Sequence, residues 1–544
     1  MDNVQKLRDM AAAASGLGQA HPIVAAGVTL LLLPVAVVVY RLFFHPLARV
    51  PGPKLAAITT VWYAYQTRKG RARELTKMLH ETYGPIVRVC PNQVWFNTEE
   101  AFRQVYRAGS PFGKADWYYS VAHKHGPIRW FPLKREAPDT LDLISETHMP
   151  RYRMQRRLIG PSYSAANMLN HEPALDDVLQ RFVAKLKEQD GKEIDLSEWM
   201  HILAMESITA VTFRWSPGMI EDGSNYGTLM DGYFKFWRYL TVVGMFPRVI
   251  LVSHYLGLWS RHFLQKLVDF GVEKCPKPPK NIWMVSDTDH KNSLQEMYGE
   301  FRFGTRDLNK EPIGGLTDDL VRLHQEKPEF KQEYLTEMVA STMRAGGDTM
   351  TGTLTAILTL GNGDPAIKAR LKREVDEGLP PVSEKPTVSF REGTALEYTT
   401  ATIKESTRHW PVVGLAMYRE VHEGGLTLSD GSGHEYFIPP GTTVGASPLA
   451  LQCNKAIFGD DAEEFRPERW LGDEKTRLAL EKYSLVFGSQ DRSCPGRNMS
   501  EQVIYKSIPT LMKHFDIEVR MPDKMLTYGT ALMTGVKAKF HVRK

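Results

Sequence analysis

The sequence predicts a mainly α-helical protein with small β-sheets, preceded by a single N-terminal transmembrane helix. Three observations predict it. Residues 23–40 (IVAAGVTLLLLPVAVVVY) are apolar and uncharged. Much of the remaining chain places apolar residues at helical spacing. Strand-like runs are short and scattered, without the alternating strand–helix pattern of a doubly wound sheet.

Composition narrows the class further. The chain has 544 residues, 42% hydrophobic and 24% charged. That excludes a disordered, collagen-like or multi-span membrane chain. The net charge, 68 − 63 = +5, is too mildly basic to argue for nucleic acid. Four cysteines (Cys90, Cys275, Cys453, Cys494) show neither C-x-x-C nor zinc-ligand spacing. They are too few to staple such a chain, which favours a reducing compartment.

The N-terminal run lies at the short end of the roughly 17–25 residues that span a bilayer. It exceeds a signal-peptide core, and no A-x-A-like site follows. A buried core helix and a cleaved signal are the competing readings. Arg41, Arg49 and Lys54 follow it, whereas Lys6 and Arg8 precede it. Three basic residues against two favour a cytosolic C-terminal side. The expected organisation is a luminal segment over 1–22, a membrane anchor over 23–40, a proline-rich linker over 41–55 and one body over 56–544. Pro46, Pro51, Gly52 and Pro53 stop the helix and stiffen the linker.

In the body, IVRV and QVWF flank Pro91-Asn92 as two short strands around a turn. Helices are expected over 151–170, 175–188, 195–213 and 334–360. CPKPPK (275–280) and GLPPVSEKP (378–386) break the pattern, and DGSGHEYFIPP (430–440) suits turns with short strands.

The most informative segment is FGSQDRSCPGRNMS (487–500). A glycine-containing turn leads to Cys494, just before an apolar-periodic helix with Pro495 suited to its first turn. A helix N-terminus, with Arg492 and Arg497 nearby, favours thiolate over thiol. Gly496 lets a flat, bulky group approach the backbone. From the residues alone, Cys494 is an axial metal ligand, a nucleophile or a buried helix-start cysteine. No motif supplies a histidine base for the nucleophile.

The pattern F-G-x-x-x-R-x-C-x-G resembles the haem-binding loop of the cytochrome P450 family. The resemblance implies the cytochrome P450 fold and haem b with Cys494 as proximal thiolate. It also implies Phe487 packed against the cysteine, Gly496 beside it and Arg492 on a propionate. The family's usual glycine four residues before the cysteine is Gln490 here.

Other segments follow in the family's order. KESTRHWP places Glu405 and Arg408 three apart on one helix face. It resembles the E-x-x-R helix, whose buried pair is joined by an arginine from FRPERW, here Arg469. This network would fix the fold around the haem and take no part in the chemistry. AGGDT (345–349) puts two glycines inside an apolar helical stretch, each costing about 1 kcal/mol against alanine. A flat or widened surface explains that cost, and a helix break or an ordinary loop is the alternative. The segment resembles the motif over the distal haem face, which implies Thr349 in the oxygen-binding groove and Asp348 as proton relay. Tyr152 and Arg156 in RYRMQRRL occupy the family's W-x-x-x-R positions, with tyrosine for tryptophan, and imply a propionate contact. Arg151, Arg153 and Arg157 surround them, as a solvated basic face or as a docking patch for an acidic electron donor. Arg419 is a further propionate candidate.

The resemblance covers nearly the whole chain, least well over about 215–330. HPLARVPGPKLAA, GPIVRVCPNQVWF and FGDDAEEFRPERW look like filamentous-fungal microsomal members of the pisatin-demethylase-like kind. It implies a monooxygenase taking electrons from NADPH through NADPH–cytochrome P450 reductase, with cytochrome b5 as an optional second donor. The implied substrate is a hydrophobic small molecule of fungal secondary-metabolite biosynthesis. The implied location is the endoplasmic reticulum membrane, single-pass, with the catalytic domain cytosolic. By resemblance the substrate meets residues 111–132, 218–260, 343–346, 412–416 and 531–535, including Trp117, Tyr118, Tyr119 and Phe131. The alternatives are an isomerase or dehydratase of the same fold that needs no external O2, and a non-catalytic haem-binding protein.

Overall fold

A computed structural model describes residues 22–121, 128–129, 134–135, 139–225, 237–250, 314–522 and 525–543. Side chains are described from Leu31 on, except in the strand pair Ile128–Arg129/Lys134–Arg135. Phe131, Cys275 and parts of the expected substrate-lining segments lie outside these residues, as do Lys6 and Arg8.

Six helices matter below: α1 (Pro22–Val39), α2 (Met149–Ile159), α3 (Leu196–Phe213), α4 (Gln332–Gly363), α5 (Glu397–His409) and α6 (Arg497–His514). Helix α4 runs through the middle and packs on α3, α5 and α6. Helix α3 is buried on nearly every face, as its almost continuous apolar sequence requires. Asp195 caps it, its side chain accepting from Ser197 and Glu198 N–H. The expected helix over 151–170 is two, because Gly160 and Pro161 end α2 and Ser164 caps a new short helix.

A five-stranded sheet flanks the helices. Its strands are β1 (Ile86–Cys90), β2 (Gln93–Phe96), β3 (Gly113–Lys114), β5 (Arg419–Glu420) and β6 (Thr443–Gly445), in spatial order β1-β2-β6-β5-β3. Strands β1 and β2 form the antiparallel pair around Pro91-Asn92, with Ile86 opposite Phe96. Strand β5 puts Arg419 opposite Lys114 of β3. A second sheet joins β4 (Glu193–Asp195), β7 (Phe515–Arg520) and β8 (Lys537–Val542) in the order β7-β8-β4. The turn-rich 430–440 stretch closes a hairpin of Leu426–Ser429 with Glu435–Ile438.

The N-terminal organisation differs from expectation in one respect. Residues 41–55 are not a spacer. Leu47 and Val50 are buried in a core shared with Ile86, Val94 and Phe96. The Arg88 amide donates to the Pro51 carbonyl at 2.7 Å, and a Cβ at Gly52 would sit 2.3 Å from the Arg88 carbonyl oxygen. The body therefore begins near Leu47. Helix α1 precedes it with Leu31, Leu32, Leu33 and Val35 exposed. Among the described residues no helix is long and apolar enough to cross a membrane.

Candidate functional site

Cys494 lies between a turn and α6. The loop is held from both sides: its amide donates to the Phe487 carbonyl at 2.7 Å, and its carbonyl accepts from Arg497 N–H at 3.4 Å. Gly488 adopts φ +76°, and a Cβ there would meet the Arg492 carbonyl oxygen at 2.9 Å. Gln490, where the family uses glycine, adopts φ +45°. The loop keeps the left-handed turn, and the glutamine carries the strain.

The thiol departs from the helix-dipole expectation. Burial pushes it up, against the Gly496 and Arg497 N–H groups and the Arg156 charge. Protein packs around the Cys494 sulfur, yet the residue is accessible. Among the described residues no group of three or more His, Cys, Asp or Glu side chains could hold a metal ion. A single sulfur donor suits a metal already held by other ligands, as in haem, and a coordinating metal deprotonates a thiol outright.

Beside this loop lies a cluster of cations. Arg419 is 4% exposed and Lys114 8% exposed. Arg419 donates to its neighbour's carbonyl, that of Tyr418, at 2.9 Å. Lys114 donates to the carbonyls of Leu143 and Ile144. Arg492 donates to the Phe112 carbonyl at 2.5 Å. Arg156 reaches Ser493 at 3.5 Å, and Tyr152 donates to the Asp491 carbonyl at 3.3 Å. Burial, then Arg419 and Arg492, pushes Lys114 down to about 7. Burial, then Arg419, pushes Arg492 down to about 10. Among the described residues no carboxylate pairs with Lys114, Arg156, Arg419 or Arg492. Buried and half-buried cations without carboxylate partners fit an anionic group such as the haem propionates. Lys114 escaped the sequence reading because nothing in PFGKAD marks it. Its role depends on pairing with β5, some three hundred residues away.

Helix α4 stays unbroken through AGGDT. Gly346 does not widen a surface: a Cβ there would meet Ile208 Cδ1 of α3 at 2.7 Å, so it serves helix–helix contact. Ala345 and Thr349, one turn apart, form the accessible face, while Gly347, Asp348 and Met350 are buried. The Thr349 hydroxyl donates to the Ala345 carbonyl at 2.6 Å. Asp348 accepts from Thr349 N–H at 2.9 Å and from the indole N–H of Trp237 at 2.5 Å. Burial pushes its carboxyl up to about 6, against those two hydrogen bonds. Trp237 falls in the stretch where the sequence resembles the family least.

Glu405 and Arg408 pair beneath α4. Arg469 approaches Glu405 at 3.5 Å and pairs with Asp461 at 2.7 Å. Trp470 N–H and Arg466 N–H also donate to Glu405, at 2.8 and 2.9 Å. Of the basic face on α2, Arg151 is committed to Glu146, whereas Arg153 and Arg157 are exposed one turn apart.

A lone accessible thiol on a helix-start loop beside a cation cluster, together with an acid–alcohol pair on the long helix α4, fits a haem-thiolate protein. The cytochrome P450 family profile matches residues 50–541. The chain is 40% identical over 535 residues to the cytochrome P450 monooxygenase sdnT of Sordaria araneosa, covering 94% of each. It is 30% identical over 507 residues to a pisatin demethylase of Fusarium vanettenii, covering 90% of each. It is 28% identical over 514 residues to the cytochrome P450 monooxygenase gsfF of Penicillium aethiopicum, covering 93% of this chain and 95% of that one. The chain belongs to the cytochrome P450 family. It is a monooxygenase whose cofactor is haem b on a cysteine thiolate.

Proposed function

We propose that this monooxygenase oxidises a hydrophobic small molecule in fungal secondary metabolism, with Cys494 as its axial ligand and electrons from NADPH–cytochrome P450 reductase. The observation that carries the reading is the accessible Cys494 thiol beside a cation cluster without counter-ions. Thiolate-bound haem supplies O2 activation and insertion of one oxygen atom into substrate.

The protein's own residues do the rest. The Cys494 amide and Arg497 N–H hold the loop that presents sulfur. Phe487 and Gly496 flank it. Arg156, Arg419, Arg492 and Lys114 would neutralise the propionates, and Tyr152 would offer them a hydroxyl. Thr349 offers an acceptor oxygen on the accessible face of α4, its hydrogen being held by Ala345. Asp348 takes protons from solvent and hands them toward Thr349, and a carboxyl near 6 exchanges them readily at neutral pH. Glu405, Arg408 and Arg469 hold the scaffold.

Arg153 and Arg157 give an acidic reductase, or cytochrome b5, a place to dock. The sequence run over 23–40 carries no charge. With its exposed leucines it supports a single-pass anchor in the endoplasmic reticulum membrane, the body cytosolic. Relatives that carry the names of fungal monooxygenases support the metabolic setting.

The test is a screen of hydrophobic compounds for a ferric spin-state shift in the full-length protein with reductase. Compounds that bind are then turned over under 18O2 with NADPH. One 18O atom in the product is expected. Conversion without 18O or NADPH would overturn the reading in favour of an isomerase or dehydratase.

A further inference from the structure

Asp348 is the only carboxylate of the AGGDT segment, and both its oxygens are engaged. One accepts from Thr349 N–H on its own helix. The other accepts from the indole N–H of Trp237, 111 residues earlier in the chain. No turn of α4 dictates the second bond, so the tertiary fold has brought the indole there.

The indole also lies close to Gly529. A Cβ at Gly529 would lie 2.5 Å from Trp237 Cε3 and 2.9 Å from Leu415 Cδ1. The ring thus occupies space that only glycine at 529 leaves open. Leu415 belongs to the segment 412–416, and Gly529 borders 531–535, both read above as substrate-lining. The indole and Leu415 thus both border the space at Gly529.

The chemistry of the donor matters. A lysine or arginine in this place would hold Asp348 ionised. An indole N–H is neutral, cannot be lost at working pH, and donates only. It fixes the direction of the carboxyl group without forbidding it a proton. The bond is stronger to the ionised form than to the neutral acid, so protonation of Asp348 loosens it. The Thr349 hydroxyl, meanwhile, donates to Ala345 rather than to Asp348.

We propose that Trp237 is a positioning residue for proton supply: its indole N–H keeps the Asp348 carboxyl turned toward residues 237–250, and substrate that displaces the indole frees that carboxyl toward Thr349. The inference rests on the reading of Asp348 as the proton donor. It links occupancy of the substrate side to delivery of protons, which limits wasteful consumption of NADPH when no substrate is bound. The wasteful reaction is NADPH + H⁺ + O2 → NADP⁺ + H2O2, in which NADPH is oxidised by two electrons and O2 reduced by two.

Two readouts test it. The first does not depend on turnover: a 15N-indole spectrum of the reduced, carbon monoxide-bound full-length protein. Of 11 tryptophans, the resonance lost in Trp237→Phe (or in Trp237→His, if the former does not fold) identifies the indole. Asp348→Asn is expected to move that resonance, and an unmoved resonance overturns the contact. The second is peroxide release with reductase and NADPH but no substrate. Trp237→Phe is expected to raise it several-fold. Trp237→His, which keeps a ring N–H donor, is expected to stay near the parent. The double variant Trp237→Phe/Asp348→Asn is expected to return to the parent rate.

An unchanged rate in Trp237→Phe, while Asp348→Asn alone slows NADPH oxidation, overturns the role of Trp237 and leaves that of Asp348. A raised rate that persists in the double variant overturns the role of Asp348 itself, and the inference with it.

Discussion

Arg408 grips Glu405 with two hydrogen bonds of 2.8 and 2.7 Å at a point where neither side chain meets water. The remaining guanidinium hydrogens go to the carbonyls of Gln452, Ala462 and Glu464. Glu405 also accepts from Trp470 and Arg466. Burial raises the Glu405 carboxyl, but the Arg408 bonds and charge outweigh it and hold it below the usual carboxylate range. Its stabilisation is therefore present above the unfolded value and is lost as pH falls through the lower, folded one.

Removing one partner leaves the other buried and unpaired. Glu405→Gln and Arg408→Ala should each cost about 3–5 kcal/mol. Chemical denaturation of the full-length protein checks this, together with haem content. Loss below about 1 kcal/mol would mean that water reaches the pair.

Gln490 is a milder case. Its left-handed backbone costs about 1–2 kcal/mol, and replacement by glycine relieves this while adding about 0.5–1 kcal/mol of chain entropy to lose on folding. Gln490→Gly should therefore change stability by less than about 1 kcal/mol and leave the thiolate spectrum intact. Gln490→Val, β-branched in the same backbone region, should destabilise more strongly. Thermal melts of the two variants side by side give the comparison.

Lys114 should matter for holding the cofactor more than for folding. Met at 114 keeps the volume and removes a charge that burial disfavours. Lys114→Met should fold as well as the parent, yet give up haem to apomyoglobin about tenfold faster, since a charge-assisted hydrogen bond contributes about 1.5–3 kcal/mol. Equal transfer rates would remove Lys114 from the propionate group.

Asp348, pushed up to about 6 by burial, holds a proton in the folded protein over a range where the unfolded chain has lost it. Between about pH 4 and 6 the folded state binds more protons, so stability attributable to this group falls as pH rises. The melting temperature of the parent minus that of Asp348→Asn should therefore decline across that window and level off above it. A flat difference would mean that the carboxyl is hydrated.

How much of this was legible in the sequence depends on how local each feature is. The strands around Pro91-Asn92 and helix α3 announce themselves through neighbours a few residues apart. The Cys494 loop does too, because its turn, cysteine and helix start are contiguous. Features that depend on distant partners were hidden. Lys114 acquires meaning only opposite Arg419, and Trp237 only against Asp348 and Gly529. Trp470 and Asp461 complete a network of which the sequence showed three members. Gly346 was misread because a glycine in a helix does not say which neighbour needs the room. The linker over 41–55 was misread because its prolines are visible in sequence, whereas the burial of Leu47 and Val50 against β2 is not.

The role of Cys494 as ligand of the haem iron is open to direct measurement. It is tested most directly by the carbon monoxide difference spectrum of the dithionite-reduced, full-length protein beside Cys494→Ser. A Soret band at the thiolate-ligand position is expected in the parent, and its loss in a variant that still folds. The same thiolate band in both, or a histidine-type band in the parent, would contradict it.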